Sequence, residues 1–104
     1  LICGIIKAMD KKIIIREIIK IIRRHLPSED FKIFLFGSQA RGDSHPTSDI
    51  DIGILGKQKA PWDIMLRITG EAEAIPTLRK IDIVDFNLVE ENFKKSALED
   101  AKIL

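Results

Sequence analysis

Residues 31–55 hold two apolar runs, FKIFLF at 31–36 and DIDIGIL at 49–55, separated by the polar stretch GSQARGDSHPTS. The second run alternates strictly. Asp49, Asp51 and Gly53 fall on one face and Ile50, Ile52 and Ile54 on the other, the period of a strand with one buried side. The first run, continued by Gly37, is apolar at nearly every position and therefore reads as a central strand covered on both faces. A connection of about eleven residues brings the end of one strand and the start of the next to the same edge of a sheet. Whatever polar chemistry that connection carries is delivered there.

The rest of the chain supplies partners for such a sheet. In DKKIIIREIIKIIRRHL, from Asp10 to about Leu26, the residues Ile14, Ile15, Ile18, Ile22 and Leu26 recur at helical spacing. Lys12, Arg16, Lys20 and Arg23 lie toward another side, so an amphipathic helix is expected, and Pro27 helps to end it. PWDIMLRITGEAEA reads as a second helix with Pro61 near its start, weakened in its second half by Gly70. KIDIVDF at 80–86 is a third strand, and the tail from about Val89 to Leu104 reads as helical with Phe93, Leu98 and Ala101 turned inward. The expected architecture is α/β (α+β): a small mixed sheet of about three strands with helices packed against it.

A chain of 104 residues builds one core, with no room for a separate substrate-holding domain, so its substrate must be held largely by something else. The domain is placed at 10–104, and residues 1–9 are set aside as an N-terminal extension, with Met9 as an alternative start. LICGIIKA is apolar but too short to span a membrane and already carries Lys7, so neither a signal peptide nor a membrane anchor is expected. Residues 1–30 carry seven Lys/Arg against four Asp/Glu, and the remainder ten against twelve. That is a mildly basic helix, not the dense basic face of a nucleic-acid binder. Cys3 is the sole cysteine. Disulfides and cysteine metal clusters are thereby excluded within the chain, and a reducing, cytoplasmic setting is the simplest expectation.

Asp49 and Asp51 share a strand face with backbones ~6.5–7 Å apart, so their carboxylates can converge on one object. For an isolated pair, the wet side of an antiparallel strand is the plainer explanation. The surroundings favour chemistry instead. Two neighbouring carboxylates repel, and a divalent cation relieves them; all-oxygen ligation favours Mg²⁺ or Mn²⁺ over Zn²⁺. Gly37 ends the preceding strand, and Ser38 opens a segment, SQAR, able to form one helical turn whose amides and hydroxyl would hold an anion. Gly37 permits close approach, Gly42 can take a positive φ, and Arg41 can reach the same anion with a planar fork of donors. A nucleoside triphosphate carried by Mg²⁺ needs both half-sites.

A third carboxylate follows from the same face logic. Ile81 and Ile83 resemble Ile50, Ile52 and Ile54 and should face helices, which puts Asp82 on the face of Asp49 and Asp51. Two cations ~3.5–4 Å apart call for a bridging set of this size. Asp85, the rival, is better suited to ending the strand or accepting from backbone amides.

GSQARG followed by SDIDIGI resembles the signature of the minimal nucleotidyltransferases, the smallest members of the DNA polymerase β-like nucleotidyltransferase superfamily. The matching positions are Gly37, Ser38, Ala40, Arg41, Gly42, Ser48, Asp49 and Asp51, with Asp82 in KIDIV as the third aspartate. The resemblance implies a nucleotidyltransferase fold and two Mg²⁺ ions, or Mn²⁺, held by Asp49, Asp51 and Asp82. It places the triphosphate at Gly37, Ser38, Arg41 and Ser48. It also implies an activity: a nucleotidyl group, AMP from ATP being favoured, passes to a hydroxyl with loss of pyrophosphate. Such short members resemble the antitoxin of a toxin–antitoxin pair whose partner is a helical HEPN ribonuclease, and some of them modify a tyrosine of that partner. The sequence has no tyrosine, which excludes self-modification on that residue type and favours an acceptor on the partner. A homodimer is compatible with the same signature.

Other readings remain at this point. One is a non-catalytic module that neutralises its partner by complex formation. Another is a nucleotidyltransferase for a small hydroxylated compound, which would need a helical domain from a second subunit. Arg41-Gly42-Asp43 spells an adhesion tripeptide but falls inside the better-explained motif. His25 and His45 have no ligand-spaced partner and read as a helix-end and a loop histidine. Trp62 suits core or interface, with base stacking as the alternative.

Overall fold

The computed structural model describes residues 11–37 and 49–104. These form α1 (Lys11–His25), β1 (Phe31–Phe36), β2 (Ile50–Gly56), α2 (Trp62–Glu73), β3 (Ile81–Asp85), α3 (Glu91–Asp100) and β4 (Lys102–Ile103). The sheet order is β3-β2-β1-β4. β1 runs antiparallel to both β2 and β4, whereas β2 and β3 are parallel, joined by a crossover through α2 as a parallel pair requires. The mixed sheet therefore has four strands where the sequence suggests about three. The helix expected to reach Leu104 stops at Asp100, and Ala101 turns extended (φ −68°, ψ 146°). Lys102 and Ile103 then pair with Leu35 and Phe34, and the Leu104 amide donates to the Ile33 carbonyl at 2.9 Å. A two-residue strand is too short to leave a period, but it satisfies the outer edge of β1.

Both faces of β1 are covered, which explains its unbroken apolarity. On one face Ile33 and Leu35 join Ile50, Ile52 and Ile54 under Ile14, Ile18 and Ile22 of α1 and Ile68 of α2. Each fully buried isoleucine contributes about 1.5–3 kcal/mol of apolar transfer, enough to outweigh the modest helix propensity of α1's β-branched residues. On the other face Phe34, Phe36 and Phe86 pack together beneath α3, with Phe36 edge-on to Phe86 at 5.2 Å between ring centres. Leu98 and Ala101 are partly buried there as expected. Phe93 is not buried: it touches the aromatic cluster through Phe36 but stays 47% exposed.

The end of α1 is tied down twice. Arg23 donates to the Phe31 carbonyl at 2.8 Å across the turn into β1, and burial lowers its pKa without removing its charge. Glu71 of α2 receives Arg24 at 3.0 Å and is also in contact with His25. His25 thus fastens one helix to another. Among the described residues no helix is long and apolar enough to cross a membrane.

Asp85 ends β3 in the manner expected. It is 5% exposed and accepts from the Ala60 amide at 2.7 Å and the Asn87 amide at 2.9 Å. The carboxylate thereby holds the connection into α2 against the turn out of β3. Asp85→Ala leaves two amide donors without a partner and is expected to cost about 2–3 kcal/mol, read as a lower urea midpoint at unchanged slope.

Candidate active site

The site follows from register. Phe36 is the Cα partner of Asp51 across the antiparallel β1–β2 pair, and Asp51 is the Cα partner of Asp82 across the parallel β2–β3 pair. Neighbouring strands are about 4.8 Å apart, and matched residues project to the same side of a sheet. Asp51 and Asp82 therefore stand side by side on the face covered by α3. Ile50, Ile52, Ile81 and Ile83 take the opposite face and join the core, which is the division that singled out Asp82.

The end of β1 lies directly against this pair. Gly37 has φ +74°, and a Cβ at that position would run into the Asp51 carboxylate, 3.3 Å from its Cγ. Glycine is required twice over, for the left-handed backbone and for the space. Asp51 and Gly37 border a cavity of about 490 Å³ that opens between the sheet end and α3 and also takes in Asp82. Lys80 lies 3.8 Å from the Asp82 carboxylate, with both groups well exposed, so that ion pair is weak.

Asp49 lies one residue ahead of β2 and is exposed. Strand alternation gives it the face of Asp51, but the ladder begins only at Ile50, whose amide donates to the Lys80 carbonyl. Among the described residues, no three His, Cys, Asp or Glu side chains gather closely enough to hold a metal ion by themselves. Of the three expected aspartates, Asp51 and Asp82 are in register, and Asp49 lies one residue ahead of the ladder. Two hard carboxylate donors beside an open cavity, with no sulfur or imidazole among the described residues that line it, fit a hard divalent cation completed by phosphate oxygens and water. Ser38, Arg41, Gly42, His45 and Ser48 lie outside the described residues.

Two further placements bear on function. Trp62 is 77% exposed, so it is not a core residue. It follows the far end of β2 and lines a cavity with Met65, Leu66 and Leu88 rather than the one that Asp51 and Asp82 border. Conversely, Phe93, Ser96 and Asp100 of α3 line the cavity beside Asp51 and Asp82. The sequence signal for them is the spacing of three and seven residues along one helix face, which mixes an aromatic with polar groups where a purely packing helix would be apolar.

Residues 16–104 match the family described as polymerase beta, nucleotidyltransferase. The chain belongs to the polymerase β nucleotidyltransferase family. Among curated relatives, it is 32% identical over 73 residues to the protein adenylyltransferase MntA of Shewanella oneidensis, covering 66% of this chain and 48% of that one. The chain thus spans about half the length of that relative. Among solved structures, this nucleotidyltransferase domain superposes on a chain of a toxin–antitoxin complex with AMP-PNP at a TM-score of 0.67 and 27% identity, covering 85% of this chain and 69% of that one. It also superposes, at a TM-score of 0.65 and 22% identity over 88% of this chain and 69% of the other, on a structure of tri-AMPylated Shewanella oneidensis HEPN toxin with its MNT antitoxin. That second likeness is one of fold.

Proposed function

We propose that this chain transfers AMP from ATP, with Mg²⁺, to a hydroxyl of a HEPN-like helical partner and so acts as that partner's antitoxin. The observation that carries the reading is the register of Asp51 against Asp82, with Gly37 closing on Asp51 at the end of the neighbouring strand. Support for the adenylyl group and a protein acceptor comes from the name of the Shewanella relative, and support for a nucleotide from the solved complex with AMP-PNP.

In this reading Ser38 and the amides around it hold the β- and γ-phosphates, Arg41 offsets their charge, and Gly37 lets them approach the strand end. Ser48 is assigned to triphosphate binding with them. Asp49, Asp51 and Asp82 would hold two Mg²⁺ ions, or Mn²⁺, whose contribution when bound is to neutralise the triphosphate and the charge that develops during transfer. The acceptor oxygen bonds to the α-phosphorus, the bond from that phosphorus to the bridging α–β oxygen breaks, pyrophosphate leaves, and the hydroxyl proton goes to water. The chain contributes mainly position and charge.

The test is to incubate the chain with α-labelled ATP, Mg²⁺ and its HEPN-like partner. Label on the partner and an equal amount of pyrophosphate are expected, with none on the chain's own tyrosines since it has none. Neutralisation of the partner without any transfer of label would instead leave a binding module.

A further inference from the structure

We propose that the α3 wall of the cavity seats the base of the donor nucleotide, with Phe93 as the stacking surface and Asp100 as acceptor for an exocyclic amine. The inference rests on the nucleotide reading above and names which part of the chain selects the nucleotide. Phe36 and Phe93 are the aromatic residues bordering the cavity that holds Asp51 and Asp82. Phe36 is buried, whereas Phe93 keeps 47% of its surface exposed. The Phe93 ring is braced edge-on against Phe36, with ring centres 6.1 Å apart and planes at 89°. An aromatic ring held by a neighbouring ring and about half exposed is a low-entropy platform for a planar base.

Position separates the donor's base from the acceptor. Phe93 stands over the end of β1, by Phe36 and next to Gly37, where the phosphate-holding segment starts. Asp82 lies two strands away on β3, the edge strand of the sheet among the described residues, the side from which a macromolecular acceptor can approach. A base joined through its ribose to phosphates at Gly37 reaches Phe93 without crossing the carboxylate pair. Ser96 and Asp100, three and seven residues along, share the Phe93 face of α3 and border the same space. A carboxylate accepts from the exocyclic amine of adenine, whereas uracil presents its O4 carbonyl, an acceptor, at the corresponding exocyclic position.

Equilibrium binding of ATP, UTP and inorganic tripolyphosphate to the full chain with Mg²⁺, without the partner, tests this. Wild type is expected to bind ATP more tightly than tripolyphosphate. Phe93→Ala should weaken ATP by about tenfold or more while leaving tripolyphosphate unchanged, and Phe93→Trp should retain ATP. Asp100→Asn should narrow the preference for ATP over UTP. Equal weakening of ATP and tripolyphosphate in Phe93→Ala, unchanged ATP binding in that variant, or an unchanged ATP-to-UTP ratio in Asp100→Asn would overturn the assignment. Base-dependent binding that survives in a chain unable to label its partner would sink the catalytic reading and leave this one standing.

Discussion

Asp51→Asn and Asp82→Asn are each expected to lower transfer to the partner by about 10²–10³-fold or more while the fold is kept. Asparagine preserves shape and one acceptor oxygen but removes the charge that a hard cation requires. The two carboxylates are in register on adjacent strands, so each also repels the other. Removing one charge should therefore reduce the rise in melting temperature that Mg²⁺ with ATP gives wild type. Loss of activity in a chain that still folds is the signature of a group retained for chemistry. A variant that labels the partner as well as wild type would remove that residue from the cation-holding set; a variant that unfolds would make the carboxylate structural. Asp85→Ala provides the contrast, since it should reduce stability while leaving the pair in place.

That contrast shows how much of the site could be read from the residues. Asp82 and Asp85 are three apart in one strand, and period two puts them on opposite faces. Once Ile81 and Ile83 are assigned to the core with Ile50 and Ile52, no freedom remains, and Asp82 falls beside Asp51 while Asp85 turns to the Ala60 and Asn87 amides. The two helices of the main core were legible for the same reason: burial of one face writes its own period. What was not legible depends on relations that leave no period. β4 is two residues long, and its pairing with β1 is a matter of where α3 stops. Phe93 looked like a core residue because an aromatic in an amphipathic tail usually is. Its exposure depends on how α3 sits against Phe36 and the sheet, a property of two elements together. Asp49 shares the alternation of Asp51, but alternation cannot say that the ladder starts one residue after it.

Gly37→Ala is expected to damage the site from a residue with no side chain of its own. A non-glycine residue at φ +74° costs about 1–2 kcal/mol, and the added methyl meets the Asp51 carboxylate. Either Asp51 swings off the line it shares with Asp82, or the backbone shifts just where the phosphate-holding segment begins. Displacements of about 1 Å at a reacting centre cost on the order of 10²-fold, so transfer should fall by that factor while stability falls by only about 1–2 kcal/mol. Gly70→Ala is the matched control. That glycine lies within α2 with nothing near the position a Cβ would take, so the same substitution should raise stability by up to about 1 kcal/mol and leave transfer unchanged. Full transfer in Gly37→Ala would mean that the carboxylate pair tolerates movement of the β1 end, and that the two half-sites joined by residues 37–51 work independently. Loss of transfer in Gly37→Ala alone would mean that strand register and the phosphate turn form one unit, in which glycine is selected by the carboxylate it faces.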